Sequence, residues 1–142
     1  MGNKIWFLTG NLAKVKEAKQ HLEKLGYEVE QLVIDEEMSE PQSDNLQSVA
    51  QAKITQAMPH LPNDNDMLLV EDAGLFIEHL NGFPGVYSAY VLKTIGCNGI
   101  LKLLAHLESE DPVMNGQMRE AEFQAVAALW DGEEIIFGNG KC

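Results

Sequence analysis

Two stretches of the chain carry residues whose types and order fit the handling of a phosphorylated ligand. The first is Thr9-Gly10-Asn11-Leu12-Ala13-Lys14. A short apolar run precedes it and a helical pattern follows. A strand would therefore feed a glycine turn and then a helix N-terminus, where amide N–H groups and the helix dipole favour an anion. Gly10 lets the backbone approach that anion closely. Lys14, in the first helical turn, reaches the same anion. The dipole disfavours a lysine there, so an anionic partner would explain its placement. An ordinary Asn-capped helix with a solvated lysine fits the same pattern. No G-x-x-x-x-G-K-[ST] spacing occurs, which excludes a Walker loop. Gly138-Asn139-Gly140-Lys141 lacks the earlier glycine and the hydroxyl residue, and reads as a turn.

The second stretch is Glu71-Asp72, two acids that end the apolar run Met67–Val70, with Gly74 close behind. Open α/β sheets place ligands at strand C-termini. Adjacent strand residues point to opposite faces, so the two acids serve different surroundings. A charge beside a core strand is costly unless used, which favours a functional Asp72. Mg²⁺ takes one or two carboxylates together with phosphate oxygens and water. Glu40, in a loop before a helix, is a plausible second carboxylate. Taken alone it reads more readily as one of several acids that solvate a loop, with Glu36, Glu37 and Asp44.

Gly82 and Gly85 around Pro84 make a rigid turn. It would either wall a base pocket with Phe83 as a stacking surface or serve structure alone with Phe83 in the core. His21, His60, His79 and His106 show neither metal spacing nor a triad pattern. Cys97 has no adjacent His and no C-x-x-C partner.

The elements that position these residues alternate. Ile5–Leu8 reads as a strand. A helix is expected from about Leu12 to Leu25, with Leu12, Val15, Ala18, Leu22 and Leu25 on one stripe, Asn11 as N-cap and Gly26 as C′ residue. Glu28–Ile34 reads as a strand, 35–45 as a loop, and Leu46–Met58 as a helix stopped by Pro59. A strand over Met67–Val70 ends at Asp72-Ala73-Gly74, with Leu75–Leu80 continuing as strand. Short helices follow near Val86–Leu92 and Asn98–Leu107. Strands at Arg119–Trp130 and Glu133–Phe137 flank the hairpin signal Asp131-Gly132. This order implies an α/β fold with a mixed sheet.

Bulk properties narrow the partners. With 142 residues the chain fits one domain, residues 1–142, around one core. Hydrophobic residues make up 45%, which argues against disorder. Lys+Arg number 10 against 22 Asp+Glu, a net charge of −12, which repels a nucleic-acid polymer and an anionic membrane. A small phosphorylated ligand remains compatible, because local cations and a divalent metal reverse the field. Two cysteines make neither a disulfide framework nor a zinc pattern. No apolar run spans a bilayer and no signal pattern opens the chain, so the cytoplasm is expected.

Thr9-Gly10-Asn11 with Lys14, Ser39-Glu40-Pro41-Gln42, Val70-Glu71-Asp72-Ala73-Gly74-Leu75 and Gly82-Phe83-Pro84-Gly85-Val86-Tyr87-Ser88 occur in this order. In this the chain resembles the inosine triphosphate pyrophosphatase family, also called noncanonical purine NTP or dITP/XTP pyrophosphatases. Thr94-Ile95-Gly96-Cys97-Asn98-Gly99-Ile100 resembles its archaeal-type branch. The resemblance implies a long mixed sheet with flanking helices, two lobes with a central cleft, and a homodimer. It implies Mg²⁺-dependent conversion of ITP, dITP or XTP to the monophosphate and pyrophosphate. Carried over by motif, Thr9 to Lys14 would hold the triphosphate, Glu40 and Asp72 the metal, and Asp72 would accept the proton of the attacking water. Ala73 would touch substrate through its backbone, and Lys53 would lie near the phosphates.

The chain departs from the family's pattern in two respects. An aromatic-glycine-(aromatic)-Asp-Pro stretch and a terminal Ser-His-Arg, both tied in the family to reading the base, are not in this sequence, and Tyr90 stands where many members have arginine. A shortened chain, a site completed by a partner subunit, and a binding or structural homologue with little turnover all follow as expectations. A phosphatase releasing orthophosphate from the same metal site is a weaker one.

Overall fold

In a computed structural model of the chain, which describes residues 3–35, 38, 43, 45–107 and 109–142, burial alternates along Lys4–Leu8, with Ile5 and Phe7 inside. That alternation marks strand β1. It lies between β2 (Glu28–Leu32) and β3 (Met67–Ile77), parallel to both. Ile5 pairs with Val29 on one side and Met67 on the other, so the three share a face. Phe7 and Val15 of helix α1 (Leu12–Leu22) complete a buried cluster there, with Ala18 and Leu22 packed against it. Trp6 pairs with Leu68 on the opposite face. Helix α2 (Leu46–Ala57) buries Leu46, Val49, Ala50, Ile54 and Ala57. Full burial of a Leu, Val or Ile side chain contributes roughly 1.5–3 kcal/mol.

Strands β4 (Ala121–Trp130) and β5 (Ile135–Lys141) complete the order β2-β1-β3-β4-β5. Phe123 and Cys142 exchange N–H···O bonds of 2.8 Å each, the sign of an antiparallel pair. The sheet is mixed and flanked by helices, as expected. Among the described residues no helix is long and apolar enough to cross a membrane.

The chain divides into two compact units. Unit 1, Met1–Asp72 with Val126–Asn139, holds β1, α1, β2, α2 and the buried cluster. Unit 2, Ala73–Ala125 with Gly140–Cys142, holds α3 (Ser88–Thr94), α4 (Gly96–Leu103) and α5 (Pro112–Met118). Its buried hydrophobic residues are Ile77, Val91 and Leu104. Here Ser88 acts as a clamp. Its Oγ accepts from the Leu75 N–H at 2.8 Å and donates to the Gly85 carbonyl at 2.7 Å.

Several elements differ from expectation. Strand β3 does not end at Asp72-Ala73-Gly74 but runs through to Ile77. The backbone of Gly85 comes so close to Gly74 that a side chain there would collide with it, a common reason for glycine inside a strand. Helix α1 ends at Leu22, and a tighter 3-10 turn carries Glu23–Leu25. Leu12 and Leu25 are exposed, and the stripe that faces the core is Val15, buried, with Ala18 and Leu22 partly buried. Strand β2 stops at Leu32, leaving Val33 exposed. Gly138-Asn139-Gly140-Lys141 is not a turn. It lies in β5, where pairing with β4 overrides weak local propensity. The hairpin takes the four residues 131–134, because Asp131 Oδ1 accepts from the amides of Glu133 (2.8 Å) and Glu134 (2.9 Å). These bonds, Glu134's first, hold the Asp131 carboxyl below the ordinary carboxylate range. Helix α5 was not expected, although Asp111 caps it and Pro112 opens it. Phe83 is 41% exposed and so is not a core residue.

Candidate functional site

The turn after β1 is built by its own side chains. The Asn11 amide donates to Thr9 Oγ1 at 3.1 Å, and Asn11 Oδ1 accepts from the amides of Ala13 (3.0 Å) and Lys14 (3.4 Å). Two of the helix's first amides are thus satisfied by the Asn11 cap, as expected of that residue. Gln31, from β2, donates through Nε2 to the Thr9 carbonyl at 2.8 Å. Sequence reasoning missed Gln31; nothing in a polar residue inside a short strand signals that role. Gly10 has no heavy atom within 4 Å of where a Cβ would sit, so the space before it is open.

A cavity of about 430 Å³ includes Thr9, Gly10, Gln31, Val33, Ile34 and Lys53 in its wall. Lys53, on α2, donates from Nζ to Asp72 Oδ1 at 3.3 Å, and the two side chains are 21% and 16% exposed. Lys53 therefore links the two predicted features: it walls the cavity with Thr9 and Gly10 and pairs with the Asp72 carboxylate. Asp72 lies inside the strand, not at its end.

Lys14 is elsewhere. Its Nζ donates to Glu71 Oε1 at 2.9 Å, with side chains 43% and 33% exposed. Both line a separate cavity of about 220 Å³ with Phe7, Ala18, His21 and Leu69. Glu71 and Asp72, adjacent in β3, thus hold lysines from α1 and α2 on opposite faces, as strand alternation requires. Leu12 is 67% exposed, and Ala73 is exposed at the start of unit 2. Glu40, with the rest of Ser39-Glu40-Pro41-Gln42, lies outside the described residues. Among the described residues no group of three or more His, Cys, Asp or Glu side chains is arranged to hold a metal ion.

Comparison with known proteins follows the same outline. The chain is 44% identical over 131 residues to the dITP/XTP pyrophosphatase of Thermococcus kodakarensis, covering 92% of this chain and 64% of that protein. It is 46% identical over 136 residues to the dITP/XTP pyrophosphatase of Methanopyrus kandleri, covering 94% and 65%. The chain thus spans just under two thirds of the length of these relatives. The solved Ham1 protein of Staphylococcus aureus superposes with a TM-score of 0.74 at 26% identity, over 97% of this chain and 69% of that one. The nucleoside-triphosphatase / dITP/XTP pyrophosphatase of Mycobacterium abscessus gives 0.75 at 26%, over 97% and 71%. The Ham1 family profile matches residues 5–142, and the chain belongs to that family.

Proposed function

We propose that this protein hydrolyses noncanonical purine nucleoside triphosphates (ITP, dITP, XTP) to the monophosphate and pyrophosphate, removing them from the nucleotide pool. The observation that carries the reading is the Lys53–Asp72 pair, 3.3 Å apart, whose lysine walls the same cavity as Thr9 and Gly10. That arrangement sits in a chain 44–46% identical to dITP/XTP pyrophosphatases.

In this reading the polyphosphate lies along residues Thr9 to Lys14 (Thr9, Gly10, Asn11, Leu12, Ala13, Lys14), with Lys53 and Lys14 neutralising its oxygens. Ala73 contacts the nucleotide through its backbone. Mg²⁺ binds through one or two carboxylates plus substrate phosphates, so Asp72 fits as its protein donor, with Glu40 as the second. Bound there, the ion would offset the charge of the polyphosphate. Asp72 orients the attacking water and takes its proton as the new oxygen–phosphorus bond forms at the α-phosphorus. The bond to pyrophosphate breaks as that group leaves. Charge neutralisation by preorganised groups is the larger contribution in such reactions.

The same reading treats residues 1–142 as one domain acting as a homodimer in the cytoplasm. Two free, exposed cysteines accord with a reducing compartment.

The test is product analysis after incubation with ITP and Mg²⁺. Equimolar IMP and pyrophosphate are expected, and orthophosphate would point instead to a phosphatase. Asp72→Asn should lower kcat by about 10²–10⁴-fold with the fold intact. Retained turnover in that variant would sink the proton-acceptor role. Calorimetric ITP binding without any product would replace the proposal by nucleotide binding without turnover.

A further inference from the structure

Lys14 is the one residue of the Thr9–Lys14 turn whose side chain is engaged on the other face of β3. Its ammonium meets Glu71 at 2.9 Å in a cavity that shares no lining residue with the one at Thr9 and Gly10. Its backbone nevertheless belongs to the turn, since its amide bonds to Asn11 Oδ1 and to the Asn11 carbonyl. The four-carbon stem that joins this backbone to the ammonium is flexible.

We propose that Glu71 is a positioning residue for Lys14. It holds the ammonium on the α1 side of β3 until a polyphosphate at Thr9–Gly10 draws it across. This rests on the polyphosphate reading of that turn given above.

Two observations favour a releasable pair over a fixed strut. The Lys14 and Glu71 side chains are 43% and 33% exposed, against 21% and 16% for Lys53 and Asp72. An ion pair that wet is held weakly, so its separation costs little. Lysine in the first turn of a helix also faces the positive end of the dipole. Glu71 offsets that repulsion in the resting protein, and the polyphosphate offsets it in the complex. The two anions therefore compete for one cation, and resting affinity is reduced by what the Glu71 contact is worth.

The experiment is calorimetry with inorganic tripolyphosphate, without divalent metal and at fixed low ionic strength. It compares wild type, Glu71→Gln, Glu71→Asp, Lys14→Ala and the Lys14→Ala/Glu71→Gln double variant, with thermal unfolding as a check on folding. Glu71→Gln should tighten binding roughly 1.5- to 5-fold, the worth of an exposed pair. Glu71→Asp should return the affinity toward wild type. In the Lys14→Ala background Glu71→Gln should change nothing. Tightening that persists in the double variant is general repulsion of the ligand by Glu71 and overturns the inference. So does a Glu71→Gln affinity equal to or weaker than wild type while Lys14→Ala weakens binding. An unchanged affinity in Lys14→Ala alone overturns the phosphate role of Lys14, and the inference with it.

Discussion

A methyl group built on Gly10 would meet no heavy atom within 4 Å, whereas one built on Gly74 would run into the backbone carbonyl of Gly85. Both glycines sit in the stretches on which the sequence resemblance rests, and both follow a residue proposed to touch substrate. In the turn after β1 the chain leaves an open space that its own packing does not require. In β3 the glycine is demanded by the chain itself. There the strand and the Gly85 turn meet backbone to backbone, with Ser88 tying Leu75 to Gly85. Identity of residue type thus conceals two physical causes: room for a ligand in unit 1 and close packing in unit 2.

The largest effect that tests this contrast is at Gly74. Gly74→Ala should destabilise the protein by about 1–3 kcal/mol or more, because the colliding atoms are backbone and cannot rotate away. Thermal unfolding at neutral pH reads it, and an unchanged Tm would mean that the Gly74–Gly85 approach is not tight in solution.

The two lysines extend the contrast to side chains. Lys53→Met should lower stability by about 1–3 kcal/mol, since it removes a charged hydrogen bond from a mostly buried carboxylate. Lys14→Met should lower it by about 0.2–1 kcal/mol, because its pair with Glu71 is far wetter. Denaturant midpoints at constant slope compare them. Equal losses would remove the distinction between a fixed and a releasable lysine.

The sequence made one part of this legible and left another hidden for a physical reason. The strand–turn–helix at Lys4–Leu22 is local. An apolar run, a glycine and an Asn cap specify it within a few residues, and the capping bonds of Asn11 are those its type predicts. Period-two alternation likewise told that Glu71 and Asp72 face opposite ways. Which lysine meets which acid was not legible. The pairs join residues 57 and 19 positions apart, and sequence spacing carries no such information. Strand β5 was misread at Gly138–Lys141 because its conformation is imposed by β4, not by its own residues. Helix α5, by contrast, carried its signals openly in Asp111 and Pro112.

Gly10→Ala isolates the ligand side of the opening contrast. The substitution meets open space and no positive φ, so stability should hold or rise by up to ~1 kcal/mol through the unfolded chain. If a phosphate approaches Gly10, the added methyl should cost one net hydrogen bond, about 2- to 10-fold in KM for ITP. A drop in Tm instead would make Gly10 a structural glycine like Gly74, and the contrast would collapse.

The smallest expected effect concerns Asp131, a carboxylate fixed by the backbone rather than by a lysine. Amides of Glu134 and Glu133 hold its pKa low. A depressed native pKa contributes stability that is complete above the unfolded carboxylate value, about 3.9, and disappears as pH falls through the lower native value. Asp131→Ala should therefore lower Tm slightly at neutral pH and converge on wild type in acid, below the carboxylate range. Its turnover of ITP at neutral pH should match wild type. A Tm difference that persists unchanged into acid would show that the side chain acts through its shape in the turn and not through its charge. A loss of turnover would place this hairpin, rather than β3 alone, among the parts that the chemistry requires.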